Sequence, residues 1–266
     1  MELQQKGQIY KMNYTYKLTS RGLCSELNSL LGFYESVTDK GCRIYIDADQ
    51  SQYFKSVSIY DVFKFPDIFI DAPHSDSTIV SGNKWRKVAN KRYKTKLTAQ
   101  QINKLFSYTN HFQKKLNKNI IKLSLPPKYN CFHIRRGDKV GERLYKWMEK
   151  QGRKGESKRY EFNEYFKRSD QSIKTIFIMS DDYSSIIEGQ QHGLKVKTLT
   201  TEEQTGHSTD LDTDNDRYYN EAELLQFFSE IEIAKQSQQF IGTASSNIFR
   251  YIKNQCVTDV KFVSLD

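Results

Sequence analysis

Apolar and polar positions change their period several times along this chain, and the changes mark its elements. Residues 14–18 alternate as a short strand, and Ser20-Arg21-Gly22 breaks the alternation. Leu23, Leu27, Leu30, Leu31 and Tyr34 then recur at helical spacing. Gly41 ends that stretch and residues 43–46 read as the next strand, so the chain opens strand, turn, helix, strand. A strand-like stretch at 67–70 follows, then a polar, turn-rich run over 73–82. One helix is predicted over 98–118. Ile102, Leu105, Phe106, Phe112 and Leu116 share a face there, and Thr98 with Gln101 makes a capping box. Leu125-Pro126-Pro127 interrupts regular structure and is read as the boundary between domains 1–125 and 126–266.

The second half repeats the alternation. Strands are predicted at 130–134, 174–179, 195–199 and 240–241. Helices are predicted at 183–191, around Leu224, Leu225, Phe228 and Ile231, and at 248–252. Residues 143–159 read as a basic, polar insertion and 200–216 as a loop rich in Thr and Asp. Strands alternating with helices predict an α/β fold with a mostly parallel sheet. Such sheets bind ligands at the carboxyl ends of their strands. The polar clusters after Ile134, Met179 and Ile241 all fall at such ends, which predicts a single cleft.

Charge changes the picture only locally. The 266 residues carry 41 Lys and Arg against 32 Asp and Glu, a formal charge of +9. Residues 84–128 hold 13 of the basic residues and no acidic one, so one block makes the protein basic. Such a block suits nucleic acid, an acidic lipid surface, an anionic substrate or simply a solvated face. The solvated face is preferred, since long Lys side chains cover apolar surface well, and no nucleic-acid partner is expected. Cys24, Cys42, Cys131 and Cys256 lack metal-ligand spacing and read as buried free thiols; the five histidines lack it too. No apolar run approaches the roughly 18 residues of a membrane helix, and the start has no signal-peptide core. A soluble, cytoplasmic protein is the default expectation.

The residues able to carry chemistry sit in the same three clusters. Arg135, Arg136, Asp138 and Lys139 follow the strand at 130–134. Guanidinium forks match phosphate oxygens, a lysine adds mobile charge, and an aspartate can orient either; a surface salt-bridge cluster explains the same residues equally well. His133 alternates within the strand and reads by itself as a packed core histidine. Asp181 and Asp182 can accept from ribose hydroxyls or a guanine edge, or cap the next helix. Ser245, Ser246 and Asn247 stand at a helix start, which is either a phosphate site or an ordinary N-cap, with Arg250 one turn on. Glu230 and Glu232 lie on the preceding helix, facing the cleft or solvent. Gly22, beside Arg21, allows either close ligand approach or a tight turn.

The run His133-Ile134-Arg135-Arg136-Gly137-Asp138-Lys139-Val140-Gly141 resembles the first motif of the α-1,6-fucosyltransferases, the family of N-glycan core and Nod-factor fucosyltransferases, with relatives among the α-1,2- and protein O-fucosyltransferases. Ile176-Phe177-Ile178-Met179-Ser180-Asp181-Asp182 resembles their second block. Arg217-Tyr218, Glu230 and Thr243-Ala244-Ser245-Ser246-Asn247-Ile248-Phe249-Arg250 resemble the third, and Gly22-Leu23-Cys24-Ser25-Glu26-Leu27 the N-terminal glycine loop. The resemblance implies a glycosyltransferase B-type fold, two Rossmann-like lobes with a central cleft, the N-terminal lobe on the acceptor side. It implies inverting, metal-independent transfer of fucose from GDP-fucose to a hydroxyl of a glycan or glycoconjugate, with no cofactor. Arg135 then binds the diphosphate and Lys139 lies in the catalytic region. His133, Asp181, Asp182, Tyr218 and Glu230 contact the donor, Ser245 and Ser246 contact diphosphate and fucose, and Gly22 approaches from the other lobe. Where the core-fucosylating enzymes carry a catalytic glutamate this chain has Arg143, so Glu142 is the first choice of general base. Another GDP-sugar, an α-1,2 linkage, or a catalytically impaired sugar-nucleotide-binding protein are the alternatives.

Overall fold

The structure is a computed structural model and describes residues 12–81, 95–136, 146, 150, 158–206 and 219–266. Its packing divides the chain into two units, Met1–His111 with Tyr218–Glu221, and Phe112–Arg217 with Ala222–Asp266.

The first unit carries a parallel four-stranded sheet, ordered β3-β2-β1-β4, from β1 (Met12–Lys17), β2 (Cys42–Asp47), β3 (Phe69–Ile70) and β4 (Thr78–Ser81). Helix α1 (Leu23–Val37) buries Leu27, Leu30, Leu31 and Phe33, and the Phe33 ring stacks on Tyr16 at 5.1 Å between centroids. Gly41, at φ 61°, supplies the left-handed residue that turns the chain into β2. Helices α2 (Ile59–Val62) and α3 (Ala99–Leu105) complete the described elements, and α3 begins with the expected capping box of Thr98 and Gln101.

The second unit is built on a parallel five-stranded sheet of order β7-β6-β5-β8-β9. Its strands are β5 (Asn130–Ile134), β6 (Thr175–Ser180), β7 (Lys195–Thr198), β8 (Gln239–Gly242) and β9 (Lys261–Ser264). The helices are α4 (Asn110–Lys122), α5 (Phe162–Arg168), α6 (Ser184–Gln191), α7 (Glu221–Ala234) and α8 (Asn247–Gln255). Every residue of β5 is buried, as expected of a central parallel strand covered on both faces. Phe132 packs against Phe162 and Tyr165 of α5 on one face, while Phe240 and Phe249 meet across β8 and α8. Gly189 lets α6 lie close on the sheet: a Cβ there would sit 2.9 Å from Ile178 Cδ1 and 3.1 Å from Val196 Cγ2.

Three expectations change. The helix over 98–118 is two helices, because the stretch between them bonds to the α2 region instead of to itself. Tyr108 bridges to Phe63, Thr109 N–H donates to the Val62 carbonyl at 3.0 Å, and its hydroxyl donates to the Asp61 carbonyl at 2.6 Å. The packing division falls between His111 and Phe112, since Phe112 packs edge-on against Phe228; Leu125-Pro126-Pro127 lies inside the second unit, joining α4 to β5. Strands β4 and β9 lie in stretches with no strand expectation, each at a sheet edge. All four cysteines are free, and Cys24, Cys42 and Cys131 are buried. No helix of the described residues is long and apolar enough to cross a membrane.

Candidate functional site

The strand order decides which loops are neighbours. From β5 the chain runs outward through β6 to β7, then returns to the other side of β5 for β8 and β9. β5 and β8 are therefore adjacent strands whose connections leave in opposite directions, the switch point at which parallel α/β sheets open a crevice. The tips of β6, β5 and β8 stand side by side, and they carry Asp181 and Asp182, Arg135 and Arg136, and the turn leading to Asn247. β5 and β8 approach closely: a Cβ on Gly242 would lie 3.4 Å from His133 Cβ and 3.5 Å from its Nδ1.

At the β5 tip, two adjacent arginines have opposite fates. Arg136 continues the face of Phe132 and Ile134. It is 6% exposed, its Nη2 pairs with Glu188 of α6 at 2.8 Å, and its Nη1 donates to the Tyr160 carbonyl. Its backbone N–H donates to Asp181 Oδ1 at 2.9 Å. Arg136 is thus a brace within the unit, not a side chain offered to a ligand. Arg135 takes the other side. Among the described residues, no hydrogen bond or ion pair engages its guanidinium. Its charge is felt by His133, which is buried and pushed down to about 3, first by burial and then by the Arg135 charge. The imidazole is therefore neutral at pH 7, and its Nδ1 has no hydrogen-bond partner among the described residues.

The carboxylates divide in the same way. Asp182 Oδ1 accepts from the N–H of Ser184, the first residue of α6, at 2.8 Å. Glu230 is 5% exposed on α7 and lies near Cys131, whose thiol pKa is raised first of all by burial. Burial pushes Glu230 up to about 8 against a weaker opposing hydrogen bond from Gln226, and its Oε1 has no hydrogen-bond partner among the described residues. Neither cleft wall nor solvent describes it; Glu230 is a protonated acid against the body of β5. At the β8 tip, Ser246 is the N-cap of α8, its hydroxyl accepting from Ile248 N–H at 3.3 Å. Arg250 is tied back to Asn247 Oδ1 at 2.7 Å.

Sequence reasoning missed Asp266, whose carboxylate accepts from Ala244 N–H at 2.7 Å and Ser245 N–H at 3.2 Å. Burial works to raise its pKa, but hydrogen bonds from Ser264 and from the turn prevail and hold it below the usual carboxylate range. Nothing in the local pattern marks this residue, because the turn it binds lies more than twenty positions away.

Solved structures can be compared at this point. The chain is similar to NodZ α-1,6-fucosyltransferase co-crystallised with GDP, with a TM-score of 0.53 and 10% identity over 91% of this chain and 92% of that chain. It is similar to NodZ from Bradyrhizobium, with a TM-score of 0.55 and 10% identity over 96% of each chain. NodZ soaked with GDP-fucose gives 0.52 and 9% identity over 92% of this chain and 93% of that one. The chain has the NodZ fold. No protein-family model matches the chain, and no curated protein sequence matches it. Two parallel α/β units, as in NodZ, are the glycosyltransferase B type.

On that fold, four candidate residues, Asp138, Lys139, Glu142 and Tyr218, lie outside the described residues. Gly22 belongs to the first unit, where it precedes α1 at φ −53° and ψ 136°. A Cβ on it would meet nothing within 4 Å, so neither backbone conformation nor crowding there demands glycine. Among the described residues no three His, Cys, Asp or Glu side chains gather as metal ligands.

Proposed function

We propose that this chain is a fucosyltransferase that moves fucose from GDP-fucose to a hydroxyl of a glycan or glycoconjugate, with the second unit holding the GDP. The observation that carries the reading is the β5 tip at the switch point, where an unengaged Arg135 stands next to the strand that ends in the Ser245–Asn247 turn. As the bond from fucose to the diphosphate breaks, negative charge grows on the leaving GDP. The Arg135 guanidinium and the N-terminus of α8 stabilise that charge as a divalent cation does elsewhere. Transfer is then inverting and metal-independent, with α-1,6 the linkage the motif resemblance implies. The neutral His133 at the floor of the tip offers Nδ1 as an acceptor to a nucleotide hydroxyl or amine. The NodZ structures with GDP and with GDP-fucose support the choice of donor.

Calorimetry with GDP, GDP-fucose and GDP-mannose tests the reading. GDP-fucose is expected to bind, and Arg135→Ala to weaken GDP binding by about 100-fold, the loss of one charge-assisted bidentate contact. GDP release in the presence of a glycan acceptor panel should continue in EDTA. Tighter binding of GDP-mannose moves the assignment to another GDP-sugar, and no binding of any of the three overturns it.

A further inference from the structure

A negatively charged group already occupies part of the turn after β8. Ala244 and Ser245 N–H both donate to the Asp266 carboxylate, at 2.7 and 3.2 Å, and the Ser264 hydroxyl donates to its Oδ1 at 2.6 Å. Leu265 N–H donates to the Gly242 carbonyl at 2.9 Å, which brings the segment alongside the β8 tip. The Ser245 hydroxyl lies by the same carboxylate and helps to hold it ionised. Successive backbone N–H groups beside a helix start form a concavity that favours anions. In this chain the anion in that concavity is one of its own side chains.

Resting on the donor-binding reading above, we propose that Asp266 is a built-in competitor of the donor diphosphate. Its charge stands in the turn that receives the phosphates and lowers the affinity of the site for any nucleoside diphosphate. Two of the turn's donors are taken before a ligand arrives. A diphosphate must either displace the carboxylate or bind beside a like charge, and both weaken it. The same repulsion acts on product GDP and speeds its departure. The neutral amide of Asp266→Asn removes the charge and keeps one oxygen for Ala244 N–H and the Ser264 hydroxyl, giving up only the acceptor of Ser245 N–H, whereas Asp266→Ala removes all three bonds, so charge and scaffolding can be told apart.

The test is calorimetric titration of wild type, Asp266→Asn and Asp266→Ala with GDP, inorganic pyrophosphate and guanosine at one ionic strength, with thermal unfolding as a check of folding. Asp266→Asn is expected to tighten GDP by about fivefold, the effect of one nearby like charge near a protein surface. Pyrophosphate should tighten alike, and guanosine should be unchanged. If wild type binds GDP while Asp266→Asn binds it equally or more weakly, the competitor proposal falls and the donor reading stands. A loss of affinity in Asp266→Ala without a gain in Asp266→Asn makes Asp266 a scaffold of the turn and also overturns the proposal. If neither GDP nor pyrophosphate binds any form, both readings fall together.

Discussion

The first strand of each unit ends in a polar loop, and the two loops settle their polar groups differently. In the first unit, Glu26 of α1 is 1% exposed and closes the loop after β1 upon itself: Thr19 N–H donates to Oε2 at 3.0 Å, the Thr19 hydroxyl donates to Oε1 at 2.6 Å, and Arg21 Nε lies 3.7 Å away. In the second unit, the loop after β5 splits its groups. Arg136 is consumed internally, while Arg135 and the Nδ1 of His133 have no hydrogen-bond partner among the described residues. A loop that turns its charges on one another acts as a structural joint. The donor reading assigns the ligand to the loop whose arginine is left unengaged by the described residues, beside the switch point.

The contrast can be broken in graded steps. Arg136→Ala should cost about 3–5 kcal/mol of stability, because it leaves Glu188 without its buried partner. A thermal shift within experimental error would show that the brace is dispensable. Glu230 supplies a pH signature of similar kind. Its folded pKa, about 8, lies above its ordinary 4.5, so the folded state holds a proton that the unfolded chain has lost. Stability should be full below about pH 4.5 and fall as pH rises toward 8, by on the order of a few kcal/mol, and Glu230→Gln should flatten that part of the profile. Parallel profiles for the two proteins would rule this out. Smallest is Glu26→Gln, expected to cost about 1–2 kcal/mol by weakening the bonds to Thr19. It should lower the melting temperature and change GDP affinity far less than Arg135→Ala does. Equal effects on GDP affinity would erase the distinction between the two loops.

Much of this architecture is legible in the chain itself. The five residues of β5 are fully buried and read as one strand with the bounds observed, and the apolar face of α1 is visible from Leu23 onward. What local pattern does not reveal is settled by distant partners. The break between α3 and α4 depends on carbonyls of Asp61 and Val62, more than forty residues upstream. β4 and β9 are four-residue edge strands whose side chains are not fully buried, so no sustained alternation announces them. At the site, Arg135 and Arg136 are equivalent by composition. Only Glu188, 52 residues away, and the Tyr160 carbonyl mark Arg136 as the engaged one of the pair.

The bond from Arg136 N–H to Asp181 links the end of β5 to the end of β6, and the Arg136 side chain carries the link on to α6. A phosphate arriving at Arg135 thus meets backbone whose torsional freedom was spent when the unit folded. On the proposed reading, the ordering cost of capture falls on the Arg135 side chain and not on the backbone that carries it.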